Sequence, residues 1–135
     1  MNLADVDAGV RRTIAAYVQA LDDGRTDDLV ATFCDDAKID IPGQGVFEGI
    51  DAIREAFAAW VPRAPQRHLV VNTRILEWDE HKAHALSDLV FLLKDSKNDT
   101  GWSVAMVGRY DDTFCRDDPP DDGQWHIHRR RAMFT

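Results

Sequence analysis

The sequence predicts an α+β fold in which three N-terminal helices cover one face of a curved, mostly antiparallel sheet. Two patterns carry that prediction. Through the first 60 residues the apolar side chains recur at three- and four-residue steps, the period of a helix with one buried stripe. From Arg67 onward the chain reads as long strand-like runs separated by polar turns. Helices first and an antiparallel meander after is the order of an α+β domain. No repeat or linker interrupts the 135 residues, so one domain spans 1–135 and can bury about two-thirds of its unfolded surface.

The first helix is expected over Asp5–Asp22, with Val10, Ile14, Tyr17, Val18 and Leu21 on one stripe. At about 100° per residue, Asp22 lies about 40° past Val18, on the edge of that stripe, while Asp23 points away. Gly24 then ends the helix. Thr26 can cap a short second helix carrying Leu29, Val30 and Phe33. A strand over Lys38–Ile41 stops at Pro42-Gly43, and Val46-Phe47-Glu48 is its hairpin partner. The third helix follows Gly49 and places Ile50, Ile53, Phe57 and Trp60 together, ending before Pro62. Long strands are expected over Arg67–Trp78, Lys82–Lys94, Trp102–Cys115 and Trp125–Phe134. Ser96–Asp99 reads as a polar turn and Arg116–Gly123 as a solvated loop.

Composition narrows the function. The net charge of −8 repels phosphate backbones and anionic membranes, so neither nucleic acid nor a membrane is expected as a partner. The basic run Arg129-Arg130-Arg131 lies in a strand, so its side chains split between two faces. Cys34 and Cys115 make neither a disulfide framework nor a metal spacing. The start, Met1–Asp7, lacks the basic end and apolar run of a signal peptide, and the longest fully apolar run, Leu89–Leu93, is far short of a membrane span. A cytoplasmic protein is the expectation.

The middle strand holds the chemistry. Alternation puts His68, Val70 and Asn72 on one face, and an imidazole lining a core needs a polar partner. Asp22, at the end of the first helix, is the best candidate. A carboxylate in a last helical turn opposes the helix dipole at a cost of some tenths of a kcal/mol, although Asp-Asp-Gly also reads simply as a turn.

Tyr17–Gly24, Asp28–Ala37, Phe47–Arg54, Gly108–Asp112 and Trp125–Arg130 together resemble the SnoaL-like family of the nuclear transport factor two-like superfamily. The resemblance covers nearly the whole chain and implies a cone-shaped α+β barrel. It is weak for reaction, because such barrels host many activities. Tyr17 falls where the superfamily's ketosteroid isomerases keep an oxyanion-binding tyrosine. Their basic aspartate corresponds here to Ile41 and their second oxyanion donor to Gly108, so that chemistry is not expected, although Asp40 is one residue away. The site pattern is closer to scytalone dehydratase and hexachlorocyclohexane dehydrochlorinase. Those lyases pair an aspartate near the end of the first helix with a histidine on the strand after the third, positions that correspond to Asp22 and His68. The dehydrochlorinase arginine corresponds to Arg130, and the family implies a homodimer.

The resemblance therefore implies a cofactor-independent lyase, dehydratase or dehydrohalogenase in type, acting on a small hydrophobic or aromatic substrate. A polyketide cyclase or isomerase with the same parts, or a non-catalytic small-ligand-binding module, is the alternative. In the lyase reading His68 is the base, fixed in tautomer by Asp22. Arg130 stabilises a leaving group or enolate, and Tyr17 and Asn72 bind a substrate oxygen. Phe57, Trp60, Leu89, Phe91, Trp102 and Met106 line the pocket with Gly108. Each residue has a plainer role open to it. His68 fits a satisfied core histidine, Arg130 a partner of a carboxylate, Tyr17 core packing and Asn72 a bond to nearby backbone. His126-x-His128 and His81-x-x-His84 each bring two imidazoles near one another, but neither brings a third ligand in sequence, and no metal or cofactor is expected.

Overall fold

The computed structural model describes residues 1–95, 101–116 and 123–135, together with the backbone but not the side chain of Asp95. Among these the chain forms three helices and six strands. The expected turn Ser96–Asp99 and most of the expected loop Arg116–Gly123 lie outside the described residues.

Helix α1 (Leu3–Asp22) begins two residues before the expected Asp5 because Asn2 caps it. The Asn2 side chain accepts from the Asp5 backbone at 3.0 Å, and Asp5 Oδ2 accepts from the Asn2 backbone at 2.9 Å, which satisfies two otherwise orphaned donors. Val6, Val10, Ile14, Tyr17 and Leu21 are its buried stripe. In α2 (Thr26–Val30) Arg25 holds the cap position and Thr26 is already helical, so Thr26 does not cap it. Phe33 leaves that helix and opens β1 (Phe33–Ile41), five residues before the expected strand start. Strand β2 (Gly45–Glu48) folds back on β1, and α3 (Ile50–Ala59) follows Gly49, whose φ of 84° suits glycine. The remaining strands are β3 (Gln66–Trp78), β4 (Lys82–Asp95), β5 (Gly101–Arg116) and β6 (Trp125–Phe134).

The sheet runs β2-β1-β6-β5-β4-β3. Every neighbouring pair is antiparallel except β1 with β6. The curve does not close: β2 and β3 stand at its two edges. The main core gathers the α1 stripe, Ile53 and Phe57 of α3, and the inward residues of β1 and β6. A smaller apolar cluster, Leu89, Tyr110 and Ala132, lies on β4, β5 and β6. Residues of both clusters contribute to the wall of one cavity. No helix among the described residues is long and apolar enough to cross a membrane.

Candidate functional site

The cavity holds about 250 Å3. Helix α1 lends it Tyr17 and Leu21, α3 lends Phe57 and Trp60, and β3 lends Gln66 and His68. Across from these stand Leu89 and Phe91 of β4, Met106 and Tyr110 of β5, and Arg130, Ala132 and Phe134 of β6, with Ile41 at the end of β1 and Gln44 in the turn before β2. The wall is mostly apolar with a few polar groups, the composition of a small-molecule site.

His68 and Asp22 meet. The ring Nδ1 lies 2.6 Å from Asp22 Oδ1, and the backbone N–H of His68 donates to Asp22 Oδ2 at 2.8 Å. Gln66 Nε2 donates to the same carboxylate at 3.2 Å. The Asp22 side chain is 5% exposed and that of His68 13%. An ionised carboxylate only accepts, so Nδ1 carries the hydrogen and Nε2 keeps the ring's basic lone pair. Phe91 stacks on the imidazole at 4.3 Å between centroids and fixes its plane.

The second polar centre is Arg130. Its Nε donates to Asp112 Oδ1 at 2.8 Å and its Nη2 to Oδ2 at 2.9 Å, a fully buried bidentate pair between facing positions of β5 and β6. Its guanidinium carbon lies 3.8 Å from the Tyr110 ring centroid and 4.5 Å from that of Tyr17. Burial opposes the charge, but the Asp112 carboxylate and its hydrogen bonds outweigh that and raise the Arg130 pKa above its ordinary value. Nη1 is buried and finds no acceptor among the described residues. Burial also pushes the Tyr17 phenol up, against the pull of Arg130, so it stays a donor at neutral pH.

Three expected wall residues lie elsewhere. Asn72 does not share the face of His68: the β3–β4 register shifts between Val71 and Arg74, and Asn72 has φ of 55°. That bulge breaks the alternation and turns its side chain to Asp88, where Nδ2 donates to Oδ2 at 2.9 Å. Trp102 is 46% exposed, with the Arg67 guanidinium over its ring. Gly108 serves strand packing: a Cβ there would stand 2.7 Å from the Met133 carbonyl oxygen. The other expected wall residues, Tyr17, Phe57, Trp60, His68, Leu89, Phe91, Met106 and Arg130, do line the cavity. Sequence reasoning missed Leu21, Ile41, Gln44, Gln66, Tyr110, Ala132, Phe134 and the supporting Asp112. Gln66 carried a usable signal, since it sits two residues before His68 on an alternating strand. Among the described residues, no three His, Cys, Asp or Glu side chains converge in a way that could hold a metal ion.

A model of the SnoaL-like domain matches residues 3–131. The chain belongs to the SnoaL-like family. Solved structures share the fold across almost the whole chain. A candidate scytalone dehydratase from Novosphingobium aromaticivorans superposes with a TM-score of 0.82 at 22% identity, covering 98% of this chain and 85% of that one. ActVI-ORFA from Streptomyces coelicolor gives 0.83 at 17% identity, over 96% and 97%. A Catenulispora acidiphila protein in complex with S-DNPA gives 0.83 at 22%, over 97% and 94%. No curated protein gives a significant match. For this SnoaL-like chain, the solved neighbours show the same fold over almost its whole length.

Proposed function

We propose that the SnoaL-like chain is a cofactor-independent lyase in which His68, oriented by Asp22, is the general base. The observation that carries this is the 2.6 Å contact between Nδ1 and Asp22 in a cavity otherwise walled mainly by apolar side chains. His68 Nε2 takes a proton from a carbon beside a carbonyl. The electron pair left behind forms a C=C bond as the C–OH bond on the next carbon breaks. The protonated ring returns its proton to the departing hydroxide, and water leaves. Asp22 stabilises the transient imidazolium, while the Tyr17 phenol donates to the developing enolate and the Arg130–Asp112 pair lies beside it. A dehydrohalogenation uses the same parts with halide as leaving group.

The test is a panel of cyclic β-hydroxy ketones and chlorinated rings, with alkene formation followed by absorbance. Substrates that the wild-type protein converts should be converted about 10²–10⁴-fold more slowly by His68→Asn. Asp22→Asn should be slowed as well, since its amide no longer stabilises the imidazolium. Unchanged rates in a folded His68→Asn protein would remove the histidine from the chemistry.

The same reading includes a homodimer formed through the sheet face turned away from the helices. Leu69 and Val107, both exposed, lie beside Val90 across β3, β4 and β5 on that side.

A further inference from the structure

Arg130 brings a positive charge to the cavity wall, yet that charge is already spent. Burial raises the Asp112 pKa, but the Arg130 charge and its two hydrogen bonds, one to each carboxylate oxygen, oppose this, and the bidentate geometry is that of an ion pair of zero net charge. The other acidic group near the wall, Asp22, lies behind His68 and pairs with its ring. A ligand in this cavity therefore meets the His68 ring, two phenols, the Gln44 and Gln66 amides and the neutralised guanidinium, with no uncompensated positive charge from the arginine.

We propose that Asp112 is a specificity-determining residue, which by neutralising Arg130 makes the cavity select a neutral carbonyl oxygen over a carboxylate on the same skeleton. The Tyr17 and Tyr110 rings beside the guanidinium, all three on the cavity wall, mark where that oxygen lies. A volume of about 250 Å3 is the scale of a small one- or two-ring ligand. Asp112 touches no ligand in this arrangement. It acts through Arg130. The inference rests on the proposed lyase reading for where a ligand sits, and not for what happens to it there.

Equilibrium binding of 2-acetonaphthone and 2-naphthoate, two probes that share a skeleton and differ in charge, tests this. The wild-type protein should bind the ketone at least tenfold more tightly. Asp112→Asn leaves the guanidinium uncompensated and should shift the ratio at least tenfold toward the carboxylate. Equal or tighter binding of naphthoate by the wild-type protein overturns the proposal, and so does failure of the ketone to bind. An unchanged ratio in a folded Asp112→Asn protein also overturns it. If that variant does not fold, the wild-type ratio decides alone. The ratio is read from equilibrium binding and the lyase reading from turnover, so loss of the lyase reading and loss of this one give different results.

Discussion

At the scale of the residue, the two tyrosines of the chain share one environment. Tyr17 and Tyr110 are both buried, and both rings pack against the Arg130 guanidinium. Burial raises both phenol pKa values; Tyr17 further raises Tyr110, and Arg130 pulls each back only in part. In the unfolded chain a phenol loses its proton near pH 10. As pH rises past that point the unfolded state therefore binds fewer protons than the folded state, and stability falls with pH. Two outcomes are expected. The folded protein shows almost no tyrosinate absorbance at pH 10, and its unfolding midpoint in urea drops as pH climbs beyond that value. Half-ionised tyrosine in a protein still folded at pH 10 would contradict the burial described here.

At the scale of the element, α1 and β6 approach so closely that only glycine fits between them. A Cβ on Gly9 would stand 2.4 Å from Cδ1 of the buried Trp125 indole. Thr13 Oγ1 fixes the same contact by donating to the Trp125 carbonyl at 2.5 Å. Alanine in a helix interior is ordinarily better than glycine by about 1 kcal/mol. Overpacking costs about 1–3 kcal/mol, and here the clash falls on a buried indole. Gly9→Ala should lower the thermal midpoint by a few degrees; a raised midpoint would refute the contact. Such contacts explain what the sequence disclosed and what it withheld. Helices α1 and α3 were legible because one apolar period covers each, and the Asp22–His68 pairing was reached from a helix stripe and a strand face together with the family resemblance. The start of β1 was not, since Asp35-Asp36 reads as loop; parallel pairing with β6, Phe33 opposite Ile127, draws it into the sheet. Asn72 was misplaced because a bulge has no periodic signature. Asp112 was passed over because its meaning comes from the β5–β6 register, which no local pattern sets.

At the scale of the molecule, the sheet has two faces with different work. Leu89 lines the cavity, so alternation turns Val90 to the opposite side, where it lies between Leu69 and Val107. Leu69 is 45% exposed, Val71 44% and Val107 44%. Beside this strip Asp88 accepts from Arg109 Nε and from Asn72 Nδ2, each at 2.9 Å, which gives the apolar band a polar border. Apolar side chains with a polar rim are the anatomy of a self-associating surface, and a stable interface covers about 800 Å2 on each partner. The wild-type protein should therefore sediment at twice the 15.3 kDa mass of the chain. Val107→Asp places a carboxylate in the strip and, in a two-fold dimer, places it twice. That variant should sediment as a monomer at micromolar concentration while its helical circular dichroism is retained. Because Val107 points away from the cavity, the relative binding of ketone and carboxylate probes should not change. A wild-type protein that is monomeric at that concentration, or a Val107→Asp protein that stays dimeric, would leave this apolar strip without the partner assigned to it.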